Sequence, residues 1–158
     1  MADLLTHVLV PYVVLTVARW GVAFSRRWVP VAMGGAAIPD LVKLQLLVDE
    51  TVVQRVLGAP FEYVPISSLG GVVVIAAGIT VLFDRSEWRR VYGFLVFGAL
   101  TSLAVDGLRA FADGAASFWL YPLWVRPVTP ELYVSADTRV VAVTLVATVI
   151  VTAVDRST

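Results

Sequence analysis

Five apolar stretches, each approaching the length of a bilayer crossing, dominate this chain and leave few folds open to it. They run from about Leu4 to Phe24, Trp28 to Val48, Val64 to Phe83, Val91 to Ala110 and Arg139 to Val154. A helix needs about 20 mostly apolar residues to span the hydrocarbon core. Lipid offers backbone amides no partner, so spanning segments are helices or closed barrels. The stretches lack the alternation of barrel strands. The expected fold is an all-α, polytopic membrane bundle of about five transmembrane helices, with residues 1–158 forming a single transmembrane domain. Charged residues make up 15% of the chain, against about 25% in soluble domains.

The second stretch is the irregular one. Pro39 removes a backbone donor, so the expectation is a helix kinked at Pro39 that still crosses. The alternative is a half-helix that dips in and leaves. Asp40 is placed to cap a helix running on to about Leu57. Short loops set the orientation. Arg26-Arg27, the Asp84–Arg90 loop and the tail at Arg156 fall on one side. That side is expected to be cytoplasmic, which makes the chain a multi-pass cell-membrane protein with its N-terminus outside. Connections 49–63 and 111–138 then lie outside. The aromatic run Phe118–Trp124 is expected at the outer interface, where Trp and Tyr are favoured. The N-terminus has no basic leader region, so the first span is expected to remain in the mature protein.

Composition excludes several functions. Net charge is zero, so no basic field points to nucleic acid. There is no cysteine, hence no disulfide, thiolate metal site or cysteine nucleophile. Lys43 is the single lysine beside eleven arginines, a bias expected of a GC-rich, halophilic, archaeal-like source. No internal repeat is evident, and intramembrane charges are few, which argues against a transporter.

The polar residues inside the apolar stretches share one end of the expected bundle. His7 lies near the outer end of the first span, and Asp40 and Lys43 near that of the second. Glu62, Ser67 and Ser68 open the third, and Ser102, Asp106 and Arg109 lie near the outer end of the fourth. Ionisable groups at membrane depth are costly and mark sites or ion pairs. The expected result is a shallow pocket open to the outer leaflet. Bland readings stand beside this one. His7 can be an interfacial hydrogen-bonding residue, while Asp40–Lys43 and Asp106–Arg109 can be local ion pairs at three-residue spacing. The two serines can cap the third helix. His7, Asp40 and Asp106 supply three candidate metal ligands, the bare minimum for a site. Small residues such as Gly34-Gly35 and Gly70-Gly71 are read as helix-packing positions.

Several motifs in order carry a resemblance: Thr6-His7, Gly34-Gly35-Ala36-Ala37-Ile38-Pro39-Asp40, Ser67-Ser68-Leu69-Gly70, Ser102-Leu103-Ala104-Val105-Asp106-Gly107, then Gly114 and Trp119–Pro122. Over residues 4–125 the chain resembles the membrane-bound metal-dependent hydrolases, also described as LexA-binding, inner-membrane-associated hydrolases. In that family a Thr-His pair opens the first helix and a Pro-Asp step follows, matched by His7 and Asp40. A later His-Arg and Thr-His-Ser segment is here Glu62–Ser68, without histidine or arginine. A His four residues before an Asp is here Ser102 before Asp106. The resemblance implies the family's scaffold in a degenerate member, because serine is a poor transition-metal ligand beside imidazole.

Two function classes follow. The first is a membrane-embedded hydrolase of a lipid or phosphoester. It would use a divalent metal on His7, Asp40 and Asp106, with Asp40 and Asp106 catalytic and with Lys43, Ser67, Ser102 and Arg109 facing the substrate or lipid headgroup. A hard ion on Asp40, Asp106 and Glu62 is a variant of this reading. The second is a non-catalytic membrane subunit that binds the lipid bilayer's headgroups, a protein partner or a second copy of itself.

Overall fold

A computed structural model of the chain describes residues 2–111, 114, 118–134 and 137–157. Parts of the long 111–138 connection (112–113, 115–117 and 135–136) and both terminal residues lie outside the described residues. The described chain is all-helical, with one isolated bridge between Arg109 and Tyr133. Six α-helices run in order: α1 (Ala2–Ala18), α2 (Trp28–Ala36), α3 (Glu50–Leu57), α4 (Leu69–Thr80), α5 (Trp88–Gly107) and α6 (Thr138–Ser157). Two 3-10 helices, Pro39–Leu46 and Val64–Ser67, precede α3 and α4.

Nine-residue α2 sits at the centre, packed against α1 on one side and α5 on the other. Small residues permit this. A Cβ on Gly35 would overlap the Leu95 carbonyl, and one on Gly98 would overlap the Ala32 carbonyl. The two backbones therefore touch, as small-residue interfaces between apolar helices allow. Trp28, Ile38, Val72, Ala76, Val91, Leu95, Ala99 and Leu103 fill the core between α2, α4 and α5. Trp28 stacks on Phe94 with ring centroids 5.6 Å apart.

The second apolar stretch departs from the expected kinked crossing helix. The helix ends at Ala36, before the proline. Ala37 and Ile38 donate to Gly34 and Gly35, three residues back, and Pro39 has no N–H to continue the four-residue ladder. The backbone tightens into the 3-10 segment instead. At 1.5 Å per residue α2 rises only about 14 Å. Asp40 does not cap α3. That role falls to Asp49, whose carboxylate accepts from the Thr51 amide at 2.8 Å. Hydrogen bonds from the Thr51 hydroxyl and amide hold the exposed Asp49 carboxyl below the usual carboxylate range.

Among the described residues one helix, α6, is long and apolar enough to cross a membrane, in place of the five expected crossings. The apolar parts of α1 and α4 are shorter. Helix α5 has the length, but Arg89, Arg90 and Asp106 sit near its ends. Along α6 only Val151 is buried, while Val143 and Val149 stay about two-thirds exposed at 68% and 67%. The helix packs along α1, where the Tyr12 hydroxyl and Thr152 Oγ1 are 2.7 Å apart.

Ser68 caps α4 as expected of a serine there. Its Oγ accepts from the Gly71 amide at 3.1 Å and donates to the Pro65 carbonyl at 2.7 Å. Ser68→Ala removes both bonds. It is expected to destabilise the fold by about 1 kcal/mol, read as a lower Tm of the purified chain in detergent.

Candidate functional site

Three separate elements bring charge to one end of the bundle. His7, in the second turn of α1, is 1% exposed. Its ring lies between two carboxylates. Nδ1 is 3.7 Å from Asp40 Oδ2, on the 3-10 segment, and Nε2 is 3.4 Å from Asp106 Oδ1, on the last turn of α5. The imidazole thus ties α5 to the segment that follows α2. Both contacts exceed ordinary hydrogen-bond lengths, so they act as ion-pair contacts.

Each carboxylate also has a cation three residues along. Lys43 Nζ is 2.6 Å from Asp40 Oδ1. Arg109 NH1 is a looser 3.9 Å from Asp106 Oδ1. Arg109 is held from behind by a return segment. Leu132 donates to the Leu108 carbonyl, Ala110 donates to the Tyr133 carbonyl, and the Tyr133 hydroxyl donates to the Val105 carbonyl at 2.7 Å. The guanidinium lies over the Phe111 ring at 4.5 Å.

In front of these groups lies a cavity of about 160 Å³, lined by Asp40, Lys43, Ser67, Asp106, Arg109 and Trp119 among others. Two acids and two bases share one small basin. His7 does not line it; the histidine stands behind the carboxylates.

The remaining candidates divide. Ser67 lines the basin, and its hydroxyl donates to the Val64 carbonyl at 3.0 Å. Ser102 is fully buried one turn before Asp106, off the cavity wall, and its Oγ has no hydrogen-bond partner. Glu62 is exposed and lines a separate cavity of about 260 Å³ with Phe118 and Tyr121. It therefore does not join Asp40 and Asp106 as a ligand.

Trp119 is the basin residue that sequence reasoning missed. The aromatic run around it meets the start of α4. The Trp119 and Tyr121 carbonyls accept from the Leu69 and Gly70 amides at 2.8 and 3.0 Å. Those are orphan donors in the first turn of α4. The indole packs where Gly107 has no side chain, and its Nε1 is buried without a partner. Gly107, directly after Asp106, was the available signal: a helix-end glycine facing a bulky ring.

A metal implied by the hydrolase resemblance does not fit these side chains. The two carboxylates face different ring nitrogens of His7, so no single point takes all three ligands. A neutral imidazole offers one lone pair, and the positions that the resemblance would fill with histidine hold Ser67 and Ser102. Among the described residues no group of three His, Cys, Asp or Glu is arranged to hold an ion. The expected ligand set of His7, Asp40 and Asp106 is thus an ion-pair chain in this geometry.

Comparison with family models, with characterised proteins and with solved structures finds no match to this chain.

Proposed function

We propose that this chain is a multi-pass membrane protein that holds a phosphate-bearing lipid headgroup in the basin, on a scaffold like that of the membrane-bound metal-dependent hydrolases but without their metal chemistry. The observation that carries the reading is the basin's charge pattern. Lys43 and Arg109 offer donors to phosphate oxygens, which favour charge-assisted bonds. Asp40 and Asp106 offer acceptors to an amine or hydroxyl on the same headgroup.

Several features support the membrane part. Apolar side chains of α1, α4 and α6 face outward, among them Val14, Val74 and Val146. From Arg90 to Asp106, α5 rises about 24 Å, close to the roughly 30 Å hydrocarbon core. Of the chain's twelve Lys and Arg, seven fall in residues 19–27, 84–90 and 155–156; of its twelve Asp and Glu, three do. That asymmetry supports a cytoplasmic position for this end and an outside N-terminus. In this reading the short α2 and the 3-10 segment form a half-crossing buried among the other helices, where irregular backbone is tolerated.

Binding is favoured over hydrolysis. The Ser67 hydroxyl is engaged with a backbone carbonyl, and the only imidazole is shut behind two carboxylates. An activated nucleophile needs a base within hydrogen-bond reach.

The test is lipid retention by the purified chain in nanodiscs, measured by native mass spectrometry with phosphatidylethanolamine as the probe. Arg109→Gln and Lys43→Gln are each expected to weaken retention roughly tenfold or more. Equal retention by the wild type and both variants would sink the binding role. Release of a water-soluble headgroup would replace it with the hydrolase reading.

A further inference from the structure

At the opposite end of the bundle two cavities meet at Arg90. One, of about 280 Å³, is lined by buried Trp28, half-buried Phe24 and Phe94, and exposed Arg27 and Arg90. The other, of about 220 Å³, shares Arg90 and Phe94 and adds Leu15, Phe97 and Arg89. The two share Arg90 and Phe94, and each is a groove that sets aromatic side chains beside guanidinium groups.

The charges at this end are unevenly matched. Asp155 takes Arg19 and Arg26 at 3.5 and 3.7 Å. Glu87 takes Arg27 at 2.9 Å, while the Arg27 guanidinium lies 4.6 Å above the Trp28 ring. Arg85 lies over Trp88 at 5.7 Å. The remaining acid in the loop is Asp84. The Arg89 and Arg90 side chains, both exposed, have no carboxylate within 4 Å among the described residues. Two adjacent cations without counter-charge thus sit at the edge of a groove whose floor is apolar.

We propose that this groove binds an anionic phospholipid, with its phosphate on Arg89 and Arg90 and its first acyl carbons against Phe94, Phe97 and Leu15. A guanidinium fork matches phosphate oxygens in a way that a lone ammonium does not. Basic pockets between helices on the cytoplasmic side take anionic headgroups. The aromatic floor directly beside the charge decides between sources: a diacyl lipid covers it, and a soluble phosphate leaves it bare. The site is separate from the basin, some 24 Å away along α5, and carries excess positive charge where the basin's two acids and two bases balance. It rests on the multi-pass reading above, because the groove must lie at a bilayer surface.

The full chain is reconstituted into nanodiscs of phosphatidylcholine with a minor share of phosphatidylglycerol, and retained lipid is identified by native mass spectrometry. Phosphatidylglycerol is expected to be enriched. Arg89→Gln and Arg90→Gln should each lower the enrichment roughly fivefold, and Arg85→Gln should leave it unchanged. Excess glycerol phosphate should not displace the lipid; displacement would make a free phosphate the ligand and overturn the proposal. Insertion into the nanodisc without preference for the anionic lipid overturns this proposal alone. Failure of the chain to insert overturns both it and the multi-pass reading.

Discussion

Gly98→Ala is expected to lose the folded, monodisperse protein. The added Cβ would overlap the Ala32 carbonyl of α2. Backbone stands on both sides of the contact, so no side chain can swing away and the helices must separate. Ala32, Ala36 and Ala99, all 0% exposed, would lose their neighbours together. Overpacking a well-filled core typically costs 1–3 kcal/mol, and a backbone clash belongs at or above the top of that range. About 3 kcal/mol is a large share of the roughly 5–15 kcal/mol that holds a domain folded. Gly35→Ala should behave alike, against the Leu95 carbonyl. Its neighbour supplies the control. A Cβ on Gly34 meets nothing within 4 Å, nor does one on Gly78. Those variants should match the wild type or exceed it slightly through helix propensity. Size-exclusion profile and Tm in detergent are the readouts. A Gly98→Ala protein with wild-type Tm would show that α2 and α5 do not touch.

His7→Ala carries the second large effect. The imidazole contacts both Asp40 and Asp106, and it is 1% exposed. Removing one partner of a buried charge cluster typically costs 3–5 kcal/mol, because the remaining charge is left uncompensated. The loss here should fall toward the lower figure. Lys43 still holds Asp40 at 2.6 Å, and the Asp106 side chain is 24% exposed. The diagnostic result is in the double variant. Asp106→Asn is expected to destabilise the wild-type chain, yet to restore part of the Tm lost in His7→Ala, since it removes one of two carboxylates left without their bridge. Simple additivity of the two losses would mean that His7 and Asp106 do not interact. Asp106→Asn by itself should impair folding or assembly at least as much as any turnover, and a fully folded variant lacking only hydrolysis would reverse that ranking.

The gathering of His7, Asp40, Lys43, Ser67, Asp106 and Arg109 at one end was readable from their positions in the apolar stretches. Each lies within a turn or two of a helix or stretch boundary, and alternating chain direction brings such boundaries to a common end. The Ser68 cap was readable too, since the hydroxyl and the amide it binds are three residues apart. Asp49, in contrast, took the capping role expected of Asp40. The cap position depended on where the 3-10 segment ended, and the Asp40 carboxylate was drawn to His7 in a distant part of the chain.

Local patterning thus determined the helical class, the apolar surface, the charge asymmetry and the end of the molecule at which the polar groups meet, because those depend on composition and spacing along the chain. The backbone contacts at Gly35 and Gly98, the indole of Trp119 over Gly107 and the order carboxylate–imidazole–carboxylate were decided only in three dimensions. Each joins residues far apart in the chain, and their relative height and rotation follow from how whole helices pack, a quantity that no single segment encodes.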